Sequence, residues 1–165
     1  MDGNKNALIV IAEDSITQAE QLKHILQKEG YKVLHGLNGK KAFSIIKSHV
    51  PALIISDILM PEMNGYEMCK LLKTDEALKN IPVILLTSLT EPTDIIEGLK
   101  CGADNFITKP YDEKHLVSCI ENALLNMQLR KQDSTETGIE ISFKGANYHI
   151  TSNRLQILDL LLSTY

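Results

Sequence analysis

Leu8-Ile9-Val10-Ile11-Ala12-Glu13-Asp14-Ser15 is a short, unbroken apolar run, rich in branched residues, that stops on two adjacent acids. A strand buried on one face only would alternate apolar and polar residues. A continuous run of this length instead suits a parallel strand covered on both faces. The next residues change period: Ile16, Ala19, Leu22, Ile25 and Leu26 recur at the spacing of one helix face, from about Ser15 to Glu29. Gly30 stands where such a helix ends.

This strand-then-helix unit recurs along the chain. Tyr31-Lys32-Val33-Leu34-His35 reads as a second strand, less apolar and so suited to a place nearer the sheet edge, followed by a helix from Gly39 to Lys47. Ala52-Leu53-Ile54-Ile55-Ser56 is a third buried strand ended by Asp57, and a loop holding Pro61 and Gly65 leads to a helix from about Tyr66 to Lys73. The run from Ile81 to Leu86 is the fourth strand, with Pro82 near its start, where strand prolines are tolerated. Thr87-Ser88 ends it, and a helix from about Pro92 to Cys101 follows. Asn105-Phe106-Ile107-Thr108 is the fifth strand, closed by Lys109-Pro110, and Asp112 to about Leu129 is the last and longest helix. Five such units predict an α/β fold: a three-layer sandwich with a five-stranded parallel sheet and helices on both faces. A strand order of 2-1-3-4-5 fits, although spacing alone does not choose it. With 165 residues the chain is too short for an eight-stranded barrel.

After residue 130 the texture changes. Residues 131–138 are polar and read as a linker, while Ile139 to Phe143 and Tyr148 to Ile150 alternate as in a small hairpin with a turn over residues 144–147. Residues 151–153 offer N-caps for an apolar helical pattern from Arg154 to Tyr165 that has no stop signal. The expected division is a domain over 1–130 and, over 131–165, a linker, a hairpin and the start of a helix leading to a further C-terminal module. A net charge of -4 gives no general argument for direct nucleic-acid binding. No apolar run approaches the ~20 residues of a membrane span, and the N-terminus is a poor match for a signal peptide. Three cysteines without a CxxC pair suit a reducing compartment. A cytoplasmic location without direct membrane contact is therefore expected.

Open parallel sheets bind ligands beyond the carboxyl ends of their strands. Glu13 and Asp14 stand there after strand 1, Asp57 after strand 3, Thr87 and Ser88 after strand 4, and Lys109 after strand 5. Strand 2 adds nothing comparable. Taken singly, each has an ordinary use: Asp57 as a turn residue, Glu13-Asp14 or Thr87-Ser88 as helix caps, Lys109 as a solvated loop charge. Together they place three carboxylates, a hydroxyl and an ammonium on one edge. Three ionised carboxylates side by side require a cation, and Mg2+ suits all-oxygen ligands. No His or Cys is placed for a zinc or thiolate site. The set fits phosphoryl transfer, with an Asp oxygen attacking in line while metal and lysine neutralise charge.

The acidic pair Glu13-Asp14, the stretch Asp57-Ile58-Leu59-Met60-Pro61-Glu62-Met63-Asn64-Gly65, the end Leu86-Thr87-Ser88, and the run from Gly102 to Pro110 stand in an order and spacing that resembles the response regulator receiver domain of two-component signalling. The likeness covers about Ala7 to Leu125. It implies the flavodoxin-like receiver fold, with Asp57 as phosphoacceptor. It also implies that Glu13, Asp14, Asp57 and the backbone carbonyl of Leu59 are ligands to Mg2+, with Mn2+ as the alternative ion. Thr87 would bond the arriving phosphoryl group, Lys109 would pair with its oxygens, and the Lys109–Pro110 bond would be cis. Phe106 takes the aromatic switch position together with Thr87, but without the hydroxyl that a tyrosine would bring there.

The resemblance further implies a phosphohistidine donor on a histidine kinase or phosphotransfer domain. The domain itself would catalyse both its phosphorylation and its dephosphorylation. Output, or assembly with a dimerisation module or a second copy, would run through the face of the fourth helix, fifth strand and fifth helix. Leu59 and Leu89 beside the site are apolar and orient no hydrolytic water, so a long phosphoryl lifetime is expected. The tail resembles, more weakly, the connector after a receiver in hybrid regulators, and the parent would be such a regulator or a sensor histidine kinase. The alternative is an unphosphorylated protein-binding module with a vestigial site, against which the intact set of Asp14, Asp57, Thr87 and Lys109 argues. An acyl-phosphate hydrolase would want an acid at Leu59. A flavin binder would be repelled by Glu13-Asp14.

Overall fold

The computed structural model describes residues 5–88, 97–98, 100–132, 138–143 and 146–151. In chain order the elements are β1 (Leu8–Ala12), α1 (Ile16–Lys28), β2 (Lys32–Gly36), α2 (Gly39–His49), β3 (Leu53–Asp57), α3 (Gly65–Thr74), β4 (Val83–Thr87), β5 (Asn105–Thr108), α4 (Glu113–Gln132), β6 (Gly138–Phe143) and β7 (Ala146–Thr151). The first five strands form one sheet of order β2-β1-β3-β4-β5, all parallel, as the sequence predicts. The less apolar β2 is indeed an edge strand.

Alternation within each strand builds the three layers. Val10, Ala12, Ile54, Val83, Leu85 and Phe106 point to one face and pack with Ala42 and Ile46 of α2 and Met68 and Leu72 of α3. Ile9, Ile11, Leu53, Ile55, Ile84 and Leu86 point to the other, against Leu22 and Leu26 of α1 and Leu116, Ile120 and Leu124 of α4. Both faces are dry, which explains why the central strands carry no polar alternation. Among the described residues no helix is long and apolar enough to cross a membrane.

Side-chain caps set the helix starts. Ser15 Oγ accepts the Gln18 N–H at 3.4 Å, Asn38 Oδ1 the Lys41 N–H at 2.8 Å, and Asn64 Oδ1 the Glu67 N–H at 2.9 Å. Gly30, at φ 94°, takes the left-handed position just past α1. Several boundaries differ from expectation for identifiable reasons. β4 begins at Val83 because Pro82 has no N–H and the Ile81 N–H is already given to the Leu78 carbonyl at 3.0 Å. Asp57 is the last residue of β3, since its backbone still pairs with Leu86. β6 and β7 pair antiparallel from Phe143↔Ala146 outward, so these strands are longer than the sequence suggests. The expected helix from Pro92 to Cys101 lies mostly outside the described residues, of which 97–98 and 100–101 are helical. The expected tail helix from Arg154 lies outside them entirely.

Candidate functional site

β1 and β3 are neighbours with Ala12 opposite Ser56, so the residues that follow, Glu13 and Asp57, meet at the carboxyl edge of the sheet. One oxygen from each of Glu13, Asp14 and Asp57 lies within 4.8 Å of the others. Glu13 is buried and held from three sides. Its Oε1 accepts the Ser15 N–H at 3.0 Å, its own N–H reaches the Gly36 carbonyl at 3.1 Å, and its carbonyl accepts a bond from His35 Nε2 at 2.7 Å. Asp14 is exposed and Asp57 half-buried, its Oδ1 accepting the Ile58 N–H at 2.8 Å. Gly65 makes that placement of Asp57 workable: a Cβ there would collide with the Asp57 carbonyl oxygen, and the Gly65 N–H bonds the Ile58 carbonyl at 2.9 Å.

Lys109 reaches across the edge from the end of β5. Its Nζ lies 3.2 Å from Asp57 Oδ2, 3.3 Å from Glu13 Oε2 and 2.7 Å from Gln18 Oε1. Its backbone N–H donates to the Thr87 carbonyl at 2.7 Å, and the Lys109–Pro110 peptide bond is cis. Burial alone would lower the lysine pKa, but the charges of Asp57 and Glu13 outweigh it and hold the ammonium above its ordinary range. Glu13 is pushed up from the usual carboxylate range, first by burial and then by the Asp57 charge, against the opposing Ser15 N–H and Lys109. Acid repulsion is thus only partly relieved by the lysine, and the remaining demand is for a cation with a preference for oxygen. The donors fit a hard divalent ion. The three cysteines lie buried in the cores and offer no thiolate here.

Thr87 is buried at the end of β4, on the strand beside Asp57. Leu59 is 71% exposed, and Phe106 is buried with its ring over Gly98, where even a Cβ would strike it. Leu89 lies outside the described residues. Two partners escape the sequence reading. Gln18 binds Lys109 from α1, and His35 of β2 braces Glu13, although sequence alone assigns nothing comparable to that strand. The only available signal for His35 is its position at the carboxyl end of β2, opposite Ile11 of β1.

A family model for the response regulator receiver domain matches residues 9–121. This chain belongs to that family. Its Glu13–Asp14–Asp57 cluster is of the kind typical of the phosphoacceptor and Mg2+ site of receiver domains. The receiver is 47% identical to the crystal structure of the signal receiver domain of a signal transduction histidine kinase from Syntrophus aciditrophicus, with a TM-score of 0.71 over 83% of this chain and 99% of that one. It is 35% identical over 159 residues to Histidine kinase P4 of Formosa agariphila, covering 94% of this chain but 12% of the kinase. It is 32% identical to Response regulator Rre1 of Synechocystis over 80% of this chain and 56% of that regulator. The receiver therefore spans a small part of the one and about half of the other.

Proposed function

We propose that this receiver takes a phosphoryl group onto Asp57 from a phosphohistidine of a histidine kinase or phosphotransfer domain, and signals by the change of shape that follows. The observation that carries this reading is the convergence of Lys109 on Asp57 Oδ2 at 3.2 Å beside the Glu13–Asp14–Asp57 cluster. An Asp57 carboxylate oxygen attacks phosphorus, an O–P bond forms as the N–P bond of the donor breaks, and the electron pair returns to the imidazole nitrogen. Lys109 pairs with a phosphoryl oxygen, and the Thr87 hydroxyl donates to another. Glu13, Asp14, Asp57 and the backbone carbonyl of Leu59 are the groups that would hold Mg2+, or Mn2+ in its place. Bound there, the ion would neutralise charge on the phosphoryl oxygens.

The receiver itself supplies the catalytic groups for phosphorylation and for hydrolysis. Leu59 is exposed beside the site and apolar, so nothing on it orients an attacking water. Leu59→Asn is expected to change the dephosphorylation rate several-fold, read as loss of label after the donor is removed; an unaltered rate contradicts this role. We assign the output to the face of β5, α4 and the segment before β5 that includes Gly98, with Thr87 and Phe106 as the moving parts. Residues 131–165 serve as the connector to a further module of a cytoplasmic hybrid regulator or sensor kinase.

Incubation with acetyl phosphate tests the function. A gain of about 80 Da that needs Mg2+ and vanishes in Asp57→Asn supports it. A folded protein that binds Mg2+ but gains no mass from acetyl phosphate or from a phosphorylated histidine kinase contradicts it and favours the vestigial binding module.

A further inference from the structure

A lysine ammonium has three N–H donors, and Lys109 meets three acceptors: Asp57 Oδ2 at 3.2 Å, Glu13 Oε2 at 3.3 Å and Gln18 Oε1 at 2.7 Å. The shortest contact is to the uncharged amide, although charge-assisted pairs usually settle at about 2.7–2.9 Å. Gln18 thus competes from α1 with the two carboxylates for the ammonium. With all three donors engaged, Lys109 has none left for a phosphoryl oxygen, and one acceptor must be released first. Glu13 is buried and braced, and Asp57 is the site of attachment. Gln18 is exposed, uncharged and on the wall of an open cavity of about 760 Å³ that Gln21, Ile25 and Tyr111 also line, so it can swing aside without disturbing packed atoms.

We propose that Gln18 is a positioning residue for Lys109: it shares the ammonium with the two carboxylates in the unphosphorylated receiver and yields it to a phosphoryl group arriving at Asp57. This rests on the phosphoacceptor reading and adds to it a residue and a direction of effect. Breaking the Gln18 contact is a cost of every phosphorylation event. Removing the acceptor removes that cost, so the phosphorylated form gains relative to the free one.

The test uses beryllium fluoride, a tetrahedral mimic of the aspartyl phosphoryl group, titrated calorimetrically in the presence of Mg2+. Gln18→Met keeps the length of the side chain and removes the acceptor. It is expected to bind beryllium fluoride about three- to tenfold tighter than wild type, the effect of one net hydrogen bond. Gln18→Glu restores an acceptor and strengthens it, and is expected to bind more weakly than wild type. In the metal-free protein, the Lys109 ammonium signal in 1H–15N spectra should be protected from exchange with water in wild type and lose that protection in Gln18→Met; a change in general stability would not do this. Gln18→Met binding no tighter than wild type, or an ammonium signal indifferent to the substitution, overturns the proposal while leaving the phosphoacceptor function standing. Failure of wild type itself to bind beryllium fluoride, or to take a phosphoryl group at Asp57, overturns both.

Discussion

Glu13 shows at the scale of one residue how function and stability oppose each other. Burial and the Asp57 charge raise its pKa in the folded protein, so the fold prefers its protonated form more than the unfolded chain does. As pH rises from the ordinary glutamate range through that raised value, the folded state holds more protons than the unfolded state and stability is lost. Without metal, Glu13→Gln is therefore expected to melt higher than wild type at pH 7. The gap should close as pH falls below the ordinary glutamate range, where both forms are uncharged. The same variant should bind Mg2+ more weakly. Thermal melts with a chelator across that pH range check this, and a wild type as stable as Glu13→Gln at pH 7 contradicts it. The position of Glu13, Asp14, Asp57, Thr87 and Lys109 at one sheet edge is readable from sequence because each follows or ends a short buried run, and parallel strands bring such ends together. Gln18 was not, because an exposed polar residue on a helix has no pattern of its own, and its contact depends on how far Lys109 reaches across the edge.

Among the elements, the joint between α3, β4 and β5 lies at the end of the sheet away from the site. Lys73 at the end of α3 donates to Asp104 Oδ2 at 2.9 Å, to the Ile81 carbonyl at 2.9 Å and to the Lys79 carbonyl at 3.2 Å, while Asp104 Oδ2 also takes the Val83 N–H at 2.8 Å. Both side chains are largely buried. Lys73→Met would take the ammonium from a largely buried carboxylate and a donor from two backbone carbonyls, at an expected cost of about 2–3 kcal/mol in urea denaturation. A cost below about 0.5 kcal/mol, the level of a surface pair, contradicts that account. Apolar pattern located this joint's helix and strands but not their ends. The Ile81–Leu86 run looks like one strand, yet Ile81 is tied back to Leu78 and Pro82 gives β3 only its carbonyl, to the Ile54 N–H at 3.0 Å, having no N–H of its own. Phe106 is similar: sequence places it on β5, but only the fold shows that its ring lies over Gly98.

The molecule as a whole is a sheet buried on both faces, and that is the part of the fold most plainly written in the chain. Five apolar runs, each followed by a helical period, leave little besides a parallel sheet with helices on both sides, whereas the strand order emerges only from the pairing. The cost of the design is concentrated acid at one edge, and a cation that binds only the folded state should repay it. Mg2+ is expected to raise the melting temperature, by the equivalent of about 2.7 kcal/mol when free Mg2+ is about a hundred times its Kd. Asp14→Asn should remove most of this gain, and an equal gain in that variant argues against the acidic cluster as the metal site. Borohydride trapping shows directly which carboxylate takes the phosphoryl group. Protein treated with acetyl phosphate and Mg2+ is reduced with borohydride, which converts a phosphorylated aspartate to homoserine, and its peptides are sequenced by mass spectrometry. Conversion is expected at Asp57 alone, and not without Mg2+ or without the donor. Conversion at Asp14 or at another carboxylate, with Asp57 untouched, would contradict the assignment to Asp57.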